Sequence, residues 1–312
     1  NEFITCGRAD TLKEYSNASC QEGSNSQEKE LISAIQIVSN GIQWCCIPEF
    51  ERGLSKLQIF FKDNNSSLNT SDQFSYLDIY KKDIERDYQK LVKKHNVADE
   101  INWCRKKGFY QQALTLIESK ISTLLIDEWK ILSINSKYQN SRVTNNEFFN
   151  AFVYTITKSI LSSENNNKNS AKGPALFLTS KLFNNMTDAE YEDFLKSIQK
   201  NSPRPFSTAP KDIKIYLARA LESTTLNRNG IQHIPDCIKI NKVSDANIPI
   251  LFQLLILHKT LKDVRNTMNH ASDEQKYRLK SIIRALKYYM KWIKQLNPNL
   301  NLQSNLLPPA AL

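Results

Sequence analysis

Glycine is scarce, with seven in a chain of 312 residues. No Gly-rich loop of the kind that cradles a phosphate occurs, which excludes nucleotide-dependent enzymes built on that loop. Alternating apolar–polar runs bounded by turn pairs are almost absent, so a sheet-based fold is not expected. There is no His-Glu-x-x-His segment, no run of carboxylates at metal-ligand spacing and no Cys-x-x-Cys pair. A zinc site, or any bound cofactor, is therefore not expected. No apolar run reaches membrane-spanning length, since the best, residues 248–257, is interrupted by Gln253. The opening residues lack the basic-then-apolar order of a signal peptide.

The six cysteines do not form a disulfide pattern: Cys45 and Cys46 are adjacent, Cys104 and Cys237 stand alone, and Cys6 and Cys20 fall in a loop-like stretch. Reduced thiols and a cytoplasmic protein are the expectation. The first residues and the closing Ala310-Ala311-Leu312 resemble cloning remnants, so the natural chain is expected to extend further. A formal net charge of +10 suits a polyanionic partner. A solvated basic surface explains the same charge, and both readings stay open.

Helical periodicity dominates what is present. Residues 24–46 carry apolar residues at helical spacing after a Ser-x-x-Gln start, with Ser24 as cap and Gln27 as its partner. Residues 74–96 form a second amphipathic segment, with Asp78 and Lys82 spaced for local pairing. Residues 98–132 read as two helices broken at Gly108, and further helices fit 146–162, 187–199, 210–223, 245–270 and 273–296. Two polar stretches, 62–73 and 162–174, read as mobile loops. The expected organisation is all-α: a flexible segment over 1–23, a helical region over 24–107, a helical domain over 108–300 with the Asn-rich loop inside it, and a tail over 301–312.

One stretch concentrates chemistry. In "DVRNTMNHAS", residues 263–272, an apolar helix runs into Arg265, Asn266, Asn269 and His270, one of only four histidines. Leu254, Leu255, Leu257, Leu261, Val264 and Met268 give that helix its apolar face. Asn266 and His270 are four apart, as are Arg265 and Asn269, hence neighbours on its surface. Ser272 to Gln275 reads as a capping box that starts a new helix, which puts His270 at a C-terminal corner. Carbonyls at such a corner favour a protonated imidazole, and a cationic histidine beside an arginine suits phosphate. A purely structural explanation fits the same residues, with His270 capping carbonyls and Arg265 paired to Asp263 or Asp273.

Arg265-Asn266-Thr267-Met268-Asn269-His270 resembles the Arg-x(4–6)-His signature of HEPN ribonucleases. Residues 108–127, with Tyr110 before Ala113-Leu114 and Glu118 after them, are similar to the helix that opens the HEPN domain of CRISPR-associated CARF–HEPN proteins. A second copy of the spacing, Arg228-Asn229 with His233, contains Gly230, runs into Pro235 and reads as a loop. The resemblance implies a helical bundle of HEPN type with an N-terminal helical extension. It also implies a metal-independent endoribonuclease of antiphage defence that attacks single-stranded RNA with its own 2′-OH and leaves a 2′,3′-cyclic phosphate. His270 would act as acid/base, Arg265 would stabilise the charge on phosphate, and Asn266 would orient one or both, with Asn269 and Glu118 in support. Such sites are composite and imply a homodimer. The family's cyclic-oligoadenylate-sensing domain has no counterpart here and is expected to be missing from this chain or replaced.

The last helix adds a basic stripe, Lys276, Lys280, Arg284, Lys287, Lys291 and Lys294, along an apolar face of Leu279, Ile282, Ile283, Leu286, Met290 and Ile293. The stripe reads as an RNA path or as a solvated lysine face. Tyr277, Tyr288 and Tyr289 read as base-stacking groups or as core-edge residues. A ribonuclease and a non-catalytic helical dimerisation or nucleic-acid-binding module are thus the two functional expectations.

Overall fold

In the computed structural model, residues 26–63, 76–93, 96–138, 143–165, 237–241, 243–244, 247–269 and 279–297, with positions 14 and 189, are described. Among them are eight α-helices and one two-stranded sheet, so the chain is mostly helical. It divides into two compact units, Asn1–Leu116 and Ile117–Leu312. The sequence-predicted helices over 187–199 (position 189 apart) and 210–223, the second Arg/His copy, and Ser24 and Ser272 lie outside the described residues, while Gln27 falls in the first turn of the first helix.

The first unit begins with a helical hairpin, α1 (Ser26–Gln43) and α2 (Ile47–Asp63). Two glycines let the helices touch. A Cβ at Gly41 would overlap the backbone of Phe50, lying 2.7 Å from its Cα, and one at Gly53 would sit 2.7 Å from the backbone nitrogen of Val38. We expect Gly41→Ala to cost roughly 1–3 kcal/mol, because the added methyl meets main chain that cannot swing aside. Urea unfolding checks it, and an unchanged midpoint would mean that the hairpin can open without loss.

The hairpin turn is a Schellman motif: Cys46 N–H donates to Gly41 O at 2.8 Å and Cys45 N–H to Ile42 O at 3.2 Å. It forces Cys45 to φ +49°, where a side chain is disfavoured. Cys45→Gly should therefore stabilise the protein by about 0.5–1 kcal/mol, read as a higher melting temperature.

Helices α3 (Tyr76–Lys93) and α4 (Val97–Lys107) complete the described part of this unit, together with the start of α5 (Tyr110–Thr123). Asn96 caps α4 by accepting from Ala98 N–H at 2.9 Å, and Gly108 ends it at φ +82°. The break expected at Gly108 is present, with the left-handed conformation that suits glycine. Trp103 packs among Phe50, Tyr88 and Phe109, with ring centroids 6.2, 5.3 and 5.7 Å away.

In the second unit α5 continues into a π turn, Leu124–Glu128, then a short strand β1 (Leu132–Ile134). β1 pairs antiparallel with β2 (Ile238–Ile240), with Ser133 opposite Lys239. The expected all-α class fits this mostly helical chain, and the small sheet is a detail that the expectation did not include. Three-residue strands are too short to carry an alternating pattern that can be read. Helix α6 (Asn145–Asn165) starts at a capping box the sequence reading overlooked, with Glu147 Oε2 accepting from Thr144 N–H at 2.9 Å and Thr144 Oγ1 from Glu147 N–H at 3.3 Å.

Helix α7 (Ile248–Asn269) packs against α6 and α8 (Leu279–Leu296). Leu254, Leu255, Leu257, Leu261 and Val264 are buried as expected, but Met268 is 43% exposed. Leu279 is likewise exposed at the start of α8, against its expected place on the apolar face. Both stand within a residue or so of a helix end, beyond which the helical pattern no longer dictates burial. Among the described residues, no helix is long and apolar enough to cross a membrane.

Candidate functional site

Helix α7 presents His258, Lys262 and Arg265 at spacings of four and three, which align along one stripe of a helix. The stripe runs from full burial at His258 to partial exposure at Arg265, whose side chain is 28% accessible. Arg265 is delivered to the last turn because the apolar residues Leu261 and Val264 anchor the same helix.

Glu118 reaches this end of the stripe from α5. Its Oε2 lies 2.9 Å from Arg265 Nη1, and its Oε1 lies 3.6 Å from Lys262 Nζ. The expected acidic partners of Arg265 were Asp263 or Asp273. Asp263 is instead held by Lys259 at 2.5 Å, one turn back on the exposed side, and Asp273 lies outside the described residues. Asn266 Oδ1 accepts from Arg265 Nη1 at 3.3 Å. Arg265 Nε is buried with no hydrogen-bond partner among the described residues.

The network continues into α6. Lys262 Nζ donates to Asn150 Oδ1 at 2.9 Å, Asn150 Nδ2 donates to the Asn146 carbonyl at 2.8 Å, and Ser122 Oγ donates to Asn146 Oδ1 at 3.0 Å. Sequence reasoning missed Lys262, Asn150, Asn146 and Ser122. The signal was available for Lys262, which stands one turn before Arg265. Asn146 and Asn150 are also one turn apart, but in so Asn-rich a chain nothing distinguished them.

Deeper along the stripe, His258 is fully buried. Its Nδ1 lies 2.9 Å from Tyr289 Oη, and its ring meets Phe149 edge-on with centroids 5.0 Å apart. Burial, reinforced by the Lys262 charge, pushes the imidazole from its ordinary 6.5 down to about 3. Burial also raises the Tyr289 phenol well above its usual value. The pair is therefore neutral, with both rings serving the core.

The remaining expected site residues divide by position. Asn269 is exposed at the end of α7, and His270, the next residue, lies outside the described residues. On α8, Lys280 and Lys287 are exposed and Arg284 is half-buried, while Lys276 lies outside the described residues. Tyr288 and Tyr289 are 2% and 0% exposed, so of their two readings the core one holds. Tyr277 lies outside the described residues. Among the described residues no group of three or more His, Cys, Asp or Glu side chains could hold a metal ion, and none of Cys45, Cys46, Cys104 and Cys237 is in a disulfide.

One carboxylate set against two cations leaves a local excess of positive charge at a half-exposed helix end. With Nη1 engaged by Glu118 and Asn266 and Nε buried, Arg265 has its Nη2 amino group to offer an oxyanion. The class defined by fold and site is a mostly helical protein with a polar, cationic cluster at the end of a buried helix. Comparison with family models, with curated proteins and with solved structures returns no match to this chain.

Proposed function

We propose that this chain is a metal-independent endoribonuclease of HEPN type, cutting single-stranded RNA by attack of the ribose 2′-OH on the adjacent phosphate. The observation that carries this reading is the ion pair between Glu118 and Arg265 at 2.9 Å. The two residues come from separate stretches that the family resemblance had singled out, and they meet beside Asn266. In this reading Glu118 fixes the guanidinium, Arg265 stabilises the phosphorane charge, and His270 moves the proton. A second copy of the chain completes the site, and the setting is antiphage, CRISPR-linked defence in the cytoplasm. Control by a cyclic-oligoadenylate sensor outside this chain belongs to the same reading.

The same ion pair favours a second reading, in which Arg265 is architecture and the chain is a non-catalytic helical dimerisation or nucleic-acid-binding module. Labelled single-stranded RNA incubated with the purified chain in excess EDTA separates the two. The proposal expects cleavage that resists EDTA, leaves cyclic-phosphate ends and tracks with a dimer in size-exclusion light scattering. Cleavage that needs Mg²⁺, or full activity in a strictly monomeric species, overturns it.

A further inference from the structure

The end of α5 does not close in an ordinary turn. The ladder widens over Leu124–Glu128, where Trp129 N–H bonds the Leu124 carbonyl at 2.9 Å. Widened turns of this kind recur at functional sites. Lys130, just beyond, takes φ +53°, a left-handed conformation that glycine would adopt without strain. Asn241 holds it there: its Nδ2 donates to Lys130 O at 2.5 Å while its Oδ1 accepts from Ser133 Oγ at 3.1 Å. Backbone strain supported in this way invites a functional explanation.

These irregularities open a cleft of about 370 Å³, within the range of small-molecule sites. Tyr138 and Phe148, with ring centroids 6.0 Å apart, form its aromatic side, and Ile126 adds to the apolar wall. At the rim Asp127 Oδ1 accepts from Asn145 Nδ2 at 3.0 Å. That bond leaves Asp127 Oδ2 and Asn145 Oδ1 at the rim with no hydrogen-bond partner among the described residues. Lys130 Nζ has no partner among them either. The cleft thus offers an aromatic ring face, acceptor oxygens from two hydrogen-bonded residues, one of them anionic, and a single cation.

We propose that this cleft binds a guanine nucleotide, with the base against Tyr138, its N1–H and N2–H donating to the Asp127 and Asn145 oxygens, and its phosphate at Lys130. Guanine is the common base whose pairing edge carries two adjacent N–H donors. Adenine and cytosine set an acceptor lone pair beside the amino group, which a carboxylate repels, and uracil flanks its one N–H with two carbonyls. The source is either a free mononucleotide or a guanosine within single-stranded RNA. The inference does not rest on the cleavage reaction, because none of these residues belongs to the Glu118–Arg265 cluster.

Calorimetric titration of the full chain with GMP, AMP and CMP tests it. GMP should bind roughly tenfold or more tightly than the other two. Asp127→Asn keeps an oxygen for Asn145 but places an amide against guanine's donors, and should erase that preference. Lys130→Gly should weaken GMP but not guanosine, while raising the melting temperature by releasing the strained φ. A merely structural lysine would not separate those two readouts. Tighter binding of AAGAA than of GMP, with AAAAA weak, assigns the site to RNA; GMP bound as tightly as AAGAA assigns it to the free nucleotide. Equal affinities for GMP and AMP, or an Asp127→Asn protein that binds GMP like the parent, overturn the proposal.

Discussion

Arg265→Ala is expected to reduce RNA cleavage by roughly 10²–10³-fold, the usual consequence of removing a group that stabilises transition-state charge. His270→Ala should reduce it by roughly 10²–10⁴-fold, as expected for a general acid/base. Neither substitution should unfold the chain. The Arg265–Glu118 pair is largely buried, with side chains 28% and 19% accessible, but Glu118 keeps Lys262 beside it. Breaking the pair should therefore cost roughly 1–3 kcal/mol, short of unfolding a typical domain. Arg265→Lys should rescue cleavage poorly, because an ammonium cannot reproduce the two-point grip of a guanidinium. Glu118→Gln should fall between parent and Arg265→Ala, since it removes the charge that aims the arginine and leaves the arginine itself. Leu261→Ala is the contrasting case: fully buried one turn earlier, it should cost about 2–5 kcal/mol and reduce activity only through unfolding. Melting curves and cleavage rates for the five variants decide the matter. If Arg265→Ala and Glu118→Gln melt well below the parent while His270→Ala cleaves at the parental rate, the cluster is architecture and the ribonuclease reading fails.

Helix existence was legible wherever apolar periodicity ran for three turns or more. Helix α7 was expected over 245–270 and spans Ile248–Asn269, because Leu251, Leu254, Leu255, Leu261 and Val264 write the buried face directly into the sequence. Gly108 was legible for a different reason, since the left-handed end of α4 selects glycine locally. Cys45 ends α1 with the same backbone motif but no glycine, and nothing in its residue type announced that turn. The two-stranded sheet was illegible because its strands are short and its pairing joins Ser133 to Lys239 across the chain. In the candidate site, Glu118 and Arg265 were named from separate stretches, but their ion pair and its link to Lys262 depend on how α5 and α7 pack. His258 was equally hidden. A lone histidine in an apolar run says nothing about whether its ring faces Tyr289 or solvent.

That histidine makes the chain's stability depend on pH in a window of its own. The folded state holds His258 at about 3 rather than 6.5, so between those values the unfolded chain binds a proton that the folded chain refuses. Where the unfolded state binds more protons, stability falls as pH falls. The contribution is intact above 6.5, where the ring is neutral in both states, and drains away as pH drops toward 3. The full span corresponds to roughly 4–5 kcal/mol, a large share of the ~5–15 kcal/mol typical of a domain. The groups around the ring do not offset this: Phe149 is apolar, burial keeps the Tyr289 phenol protonated, and Lys262 adds a like charge. With the Tyr289 hydroxyl donating to Nδ1, a second proton on the ring would displace that hydrogen bond inside the core. His258→Asn, which keeps an amide oxygen for Tyr289 to donate to, should start less stable at neutral pH because it leaves space beside Phe149. It should nonetheless lose stability more slowly on acidification. Urea midpoints for parent and variant between pH 6.5 and 5, above the range where most carboxylates titrate, measure that difference in slope. Parallel lines through that interval would show that protons reach the ring without unfolding the bundle, and that the seam between α7 and α8 is open to water.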